Sequence, residues 1–63
     1  MRNLVRALRE ERGWTQGELA KLLEVSRQTI NAVETEKYDP SLPLAMKMAL
    51  LFGRSVESMF HLD

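Results

Sequence analysis

The stretch Thr15–Glu34, TQGELAKLLEVSRQTINAVE, carries two short helical patterns set so close together that neither can bury its apolar face alone. Such a pair folds only by packing at an angle, each helix on the other and both on the rest of the chain. Each pattern opens with its own cap. Thr15 followed three residues later by Glu18 spells a capping box, in which the Thr side chain accepts from a first-turn N–H while the Glu reaches back to the cap. Ser26 repeats the cap for the second helix. Leu19, Leu22 and Leu23 form the inward stripe of the first helix, and Ala20 is small enough to let another helix approach. Val25 in the turn, with Ile30 and Val33 on the second helix, completes the apolar pocket.

The far side of the second helix has a different chemistry. At about 100° per residue, Ile30, Val33 and Glu34 point one way. Gln28, Asn31, Ala32 and Thr35 point roughly the other, with Arg27 at the exposed N-terminal end. Amides, a hydroxyl, a small residue and a guanidinium are groups able to read base edges. Gln and Asn pair two-fold with adenine, Arg pairs with guanine, and Thr or Ala meets a thymine methyl. A face that only met water would more often carry Glu and Lys pairs.

This arrangement resembles the helix-turn-helix of the Cro/CI-type (XRE) family of transcriptional regulators. The run VSRQTINAVETEKYDPSLPLAMKMA is similar to that of the family's small, single-domain bacterial members, and the likeness extends from Leu4 to about Phe60. It implies an all-α, compact, five-helix, lambda-repressor-like domain, with the helix-turn-helix formed by helices 2 and 3. Helix 3 would enter the major groove of double-stranded DNA while helix 2 crosses the backbone. On this likeness Arg27, Gln28 and Asn31 face bases, Ala32 and Thr35 supply apolar contacts, and Gln16, Ser26, Lys37 and Tyr38 lie toward phosphate. Two residues depart from the family pattern. Glu24 stands in the turn where the family usually has Gly, a position tending to positive φ at a cost of about 1 kcal/mol. Glu36 stands where close relatives carry Gly in the loop after helix 3. Both put carboxylates beside a surface expected to face phosphate.

The rest of the chain supplies a frame. A first helix is expected from about Asn3 to Arg12, capped by Asn3, with Leu4, Val5 and Leu8 inward and Gly13 ending it. Arg9 follows Val5 by one turn and Glu34 follows Ile30 by one turn, so opposite charges edge two inward faces. A partly buried ion pair is the expectation, since an unpaired charge there is costly; the family commonly joins these positions, and the alternative is two unrelated surface charges. Trp14 is expected to staple the helix entry onto Leu19, with a stacking platform for nucleic acid as the alternative. Tyr38 has two equal options, a hydroxyl on a phosphate or a ring against the next helix. Pro40 stops the loop. Ser41 caps a fourth helix running to Phe52 and ending at Gly53, with Pro43 in its first turn and Leu44, Ala45, Met48, Ala49 and Phe52 inward. Ser55 caps a fifth carrying Val56, Met59 and Phe60.

Sixty-three residues make one domain, 1–63, near the lower limit for a core without a staple, and there is no cysteine to provide one. The methionines read as adaptable packing. Nine Lys and Arg balance nine Asp and Glu, so net charge gives DNA binding no support and only the distribution, through Arg27, Lys37 and Lys21 or Arg12, can. No run is long enough to span a membrane, and the amphipathic start MRNLVRALREERG is unlike a signal peptide, which leads to a cytoplasmic expectation. Met46, Leu50, Leu51, Phe60 and Leu62 exceed what one core needs and are the expected homodimer contact. No enzyme is expected: Ser55, Ser58, His61 and Asp63 are near in sequence, but a terminal segment cannot hold a triad rigid. No cofactor, metal or small-molecule effector is implied. The reading is a sequence-specific homodimeric regulator on a palindromic operator, a repressor first, with activation by contacting polymerase from an adjacent site left open, in a bacterial or phage-like cytoplasm. The alternative is an antitoxin-like or adaptor protein-interaction module with weak DNA binding.

Overall fold

The computed structural model describes residues 1–62, and Asp63 lies outside them. Five helices follow one another as α1 (Val5–Glu11), α2 (Gln16–Leu23), α3 (Arg27–Glu34), α4 (Leu42–Phe52) and α5 (Val56–Met59). The expected helix count holds, with one addition. Strands β1 (Arg2–Asn3) and β2 (Phe60–His61) pair antiparallel, Arg2 opposite His61 and Asn3 opposite Phe60.

Every helix start from α2 onward is fixed by a hydroxyl. The Thr15 Oγ1 accepts the Glu18 N–H at 3.1 Å while Glu18 Oε1 accepts the Thr15 N–H at 2.9 Å, which closes the capping box. Ser26, Ser41 and Ser55 each accept an N–H three residues on, from Thr29, Leu44 and Ser58. Helix α1 is the exception. It begins two residues later than expected, with Leu4 at the cap position, because Asn3 belongs to β1. Asn3 still serves this end, its Oδ1 accepting the Val5 N–H at 3.1 Å, and its Nδ2 donates to the Val33 carbonyl of α3 at 3.0 Å.

The ends of α1 to α4 share one device. Gly13, Glu24, Glu36 and Gly53 have φ of 71°, 60°, 62° and 66°. The next residue in each case, Trp14, Val25, Lys37 or Arg54, donates its N–H to the carbonyl five residues back. This closes the helix over a left-handed residue and satisfies carbonyls that would otherwise lack partners. Glycine does it without strain at two sites. Glu24 and Glu36 do it at roughly 1–2 kcal/mol each.

The core gathers Val5 and Leu8 of α1, Leu19, Ala20 and Leu23 of α2, Ile30 and Val33 of α3, and Leu44, Ala45, Met48 and Phe52 of α4. Met59 and Phe60 close it from the C-terminal side. Leu22 does not join them. It is more than half exposed, since an eight-residue helix backed by α3 and α4 on one side cannot cover three leucines. Trp14 packs against the core edge with its ring 6.0 Å from that of Phe52, and the Arg12 guanidinium lies 5.5 Å from the centre of each ring. Its place is thus in packing, with Phe52 as a neighbour that sequence spacing did not reveal. Among the described residues no helix is long and apolar enough to cross a membrane.

Candidate nucleic-acid interface

Helix α3 is positioned by its apolar side. Ile30 and Val33 are fully buried, and the Ser26 cap fixes where the first turn begins. With that side anchored, Arg27, Gln28, Asn31 and Thr35 are exposed and Ala32 is half-buried. Arg27, Gln28 and Asn31 converge with Gln16 of α2 around a polar hollow of about 450 Å³. The hollow offers a guanidinium and three carboxamides. It can donate to and accept from one planar partner at once, as a base edge demands.

Behind this surface runs a chain of polar contacts. Arg9 donates from Nε to Glu34 Oε2 at 2.7 Å and from Nη2 to Oε1 at 3.1 Å, and from Nη1 to the Trp14 carbonyl at 2.8 Å. The side chains are only 11% and 3% exposed, so the expected ion pair is present, two-pronged and nearly dry. Hydrogen bonding to Glu34 outweighs burial and holds the Arg9 guanidinium above its ordinary pKa. Glu34 Oε1 also accepts from Gln16 Nε2 at 3.1 Å. Gln16 Oε1 in turn lies 3.5 Å from Asn31 Nδ2. Sequence reasoning placed Gln16 by its likeness to a phosphate contact and missed its link to Glu34. The signal was its position one residue after the Thr15 cap, on the turn nearest α3.

The other expected site residues separate by how free they are. Lys37 and Tyr38 are exposed in the loop after α3. Ser26 is engaged, its hydroxyl accepting from the Thr29 N–H and sharing a 2.9 Å bond with the Thr29 hydroxyl. The Thr35 hydroxyl donates to the Asn31 carbonyl at 2.8 Å, which turns this residue's free chemistry toward its methyl group. Arg12, one of the basic residues considered for this face, is instead held on Trp14 and Phe52 and donates to the Phe52 carbonyl. Lys21 lines a separate hollow with Trp14, Glu18 and Leu22.

At the C-terminal end, Leu42, Met46 and Leu50 are 68%, 53% and 84% exposed and lie one turn apart along α4. Leu62 is also exposed, and Leu51 is partly buried against the core. Phe60, expected on this outer face, is only 8% exposed. It leaves the set because β2 turns its ring inward beside Met59. Ser58 donates its hydroxyl to the Ser55 carbonyl at 2.8 Å, and His61 sits in β2.

A family model described as helix-turn-helix matches residues 5–58, nearly the whole chain. The chain belongs to the XRE-type helix-turn-helix family of transcriptional regulators. The family is one of regulators and not of enzymes. An uncharacterized HTH-type transcriptional regulator of Methanocaldococcus jannaschii is 52% identical over 60 residues, spanning 95% of this chain and 91% of the relative. A second, from Bacillus subtilis, is 40% identical over 63 residues, spanning 100% of this chain and 96% of its own. The similar regulators are mostly archaeal, with the Bacillus subtilis protein among them, so they do not single out the bacterial origin expected from sequence. Among solved structures, a hypothetical transcription factor from Neisseria superposes with a TM-score of 0.74 at 33% identity. The match covers 82% of this chain and 58% of that one, so this chain spans little more than half of the Neisseria protein.

Proposed function

We propose that residues 1–63 act as one DNA-reading domain, a cytoplasmic repressor that seats α3 in the major groove of a palindromic operator and works by occlusion. One observation carries this reading. The amide-bearing side of α3 is solvent-exposed opposite the fully buried Ile30 and Val33, with the Arg27 guanidinium exposed at its N-terminal end. Helix α2 then crosses the backbone with Gln16 near phosphate, and Lys37 and Tyr38 approach the flanking strand. Leu42, Met46 and Leu50 form an exposed apolar stripe, and a second copy of the chain is its occupant in this reading. Two-fold symmetry would set the reading helices about 34 Å apart, one turn of duplex.

Selection of bound sequences from a random duplex pool tests the proposal. An enriched, two-fold symmetric site supports it; an enriched site without symmetry removes the homodimer; no enrichment removes sequence-specific reading. A second reading is favoured by the carboxylates of Glu24 and Glu36 at the two ends of α3 together with the exposed α4 stripe. In it, the stripe binds another protein and DNA contact is weak. Salt titration against random duplex separates the two, because phosphate contacts impose a steep loss of affinity with added salt and a protein-binding module shows none.

A further inference from the structure

The contact chain behind α3 has a direction. A carboxylate can only accept hydrogen bonds, so Glu34 requires the nitrogen of the Gln16 amide to face it. At 3.1 Å the opposite orientation would set two oxygens against each other. Gln16 therefore turns Oε1 outward, and the side of Asn31 nearest that oxygen is Nδ2, at 3.5 Å. Asn31 is exposed and makes no other side-chain hydrogen bond shown in the structure that would resist this choice. Its Oδ1 is left on the far side. Glu34 itself is held by the two-pronged Arg9 contact and is 3% exposed, so the origin of this polarity is rigid and shielded from solvent.

We infer that Glu34, acting through Gln16, sets the donor–acceptor direction of Asn31 and so decides which way round Asn31 reads an adenine–thymine pair. The inference rests on the DNA-reading proposal above. In the major groove, adenine offers an N7 acceptor and an N6 donor, and an Asn amide pairs with both, Nδ2 to N7 and Oδ1 from N6. Reversing the base pair reverses the order of these groups along the groove. An Asn31 whose nitrogen points to Gln16 fits one order. Gln16 and Glu34 are thus positioning residues for specificity. The second N–H of Gln16 Nε2 remains available to phosphate, so its backbone role and its polarity role are compatible.

The test uses the full chain and an operator taken from the pool selection. Asn31→Ala first identifies the base step that Asn31 reads, by abolishing preference there. At that step the native chain is expected to favour one orientation of the pair over its reverse by roughly tenfold or more. Gln16→Ala removes the relay and leaves the ion pair intact, so that ratio should fall below about threefold while the preference at the Gln28 step stays unchanged. Arg9→Met combined with Glu34→Leu removes the carboxylate that fixes the Gln16 amide without leaving a lone charge behind, so the ratio should fall there as well. Should this variant fail to fold, Gln16→Ala still decides. Without DNA, the Asn31 side-chain amide resonances should move in both variants. An orientation ratio unchanged in Gln16→Ala, or preferences that weaken equally at every step, would overturn the inference while leaving the DNA-reading proposal standing. A native chain with no step sensitive to Asn31→Ala would instead remove the proposal beneath it.

Discussion

Replacing Glu34 by Ala should be the most damaging single change on the surface that backs α3. The carboxylate accepts three hydrogen bonds, two from Arg9 and one from Gln16, in a site where it is 3% and Arg9 11% exposed. Its loss leaves the Arg9 guanidinium with the Trp14 carbonyl at 2.8 Å as its remaining strong partner. Breaking a buried pair from one side costs about 3–5 kcal/mol, because the surviving charge stays desolvated. A native chain typically holds roughly 0.05–0.15 kcal/mol per residue, or about 3–9 kcal/mol for this length. Glu34→Ala would therefore remove about a third or more of the total. Arg9→Met combined with Glu34→Leu discards both charges and should recover most of the loss, since apolar replacement of a buried pair is often neutral or stabilising. Urea unfolding followed by far-UV circular dichroism measures both, with a common slope as the check that only stability has changed. A loss below about 1 kcal/mol in Glu34→Ala, or a double variant as unstable as the two single changes summed, would refute the claim that the pair is buried and mutually dependent.

Other outcomes follow from the same structure. Glu24→Gly and Glu36→Gly relieve left-handed strain of roughly 1–2 kcal/mol each, offset by the greater freedom of unfolded glycine. Net stability should rise by about 0–1 kcal/mol per site in thermal unfolding, and duplex affinity should rise as well. The Glu18 carboxyl is held below its ordinary pKa, first by the Thr15 N–H and then by the Thr15 hydroxyl. Its stabilising contribution is present above about pH 4.5 and is lost as pH falls through the lowered folded value, so Glu18→Gln should flatten that part of an acid titration of stability. Lys37→Ala should weaken all duplexes alike and reduce the salt slope by about 1, while Gln28→Ala should cost about 1–3 kcal/mol at one base pair only. Leu50 is 84% exposed, so Leu50→Glu should leave the fold intact by circular dichroism and, on the proposed homodimer, shift sedimentation from dimer to monomer.

Much of this molecule was legible because local rules and tertiary demands agree in it. Four hydroxyl caps, two terminating glycines and the spacing of Val5, Ile30, Val33 and Met48 each specify the same helices. The Arg9–Glu34 pair was readable for a related reason, since a charge at the edge of an apolar stripe needs a partner. What escaped was of another kind. Strands of two residues carry no alternation, so β1 and β2 left no periodic trace, and the true start of α1 was hidden with them. Leu22 fits the stripe of α2 but faces out, because spacing gives a direction and not the extent of the neighbour that would cover it. Phe60 was misplaced for the converse reason, as a chain end that looked free is tied back by pairing with Asn3. Gln16 shows the limit most clearly. A carboxamide belongs equally to a solvated surface and to a buried contact, and only the position of Glu34 distinguishes them.

The double tether of α3 has one more consequence. Its last turn is gripped from two remote parts of the chain, the Val33 carbonyl by Asn3 and the Glu34 carboxylate by Arg9. Rolling the helix about its long axis to suit an imperfect target would have to rupture both grips together. On the DNA-reading proposal, tolerance toward variant targets then comes from the duplex, through kinking and groove width at flexible pyrimidine–purine steps.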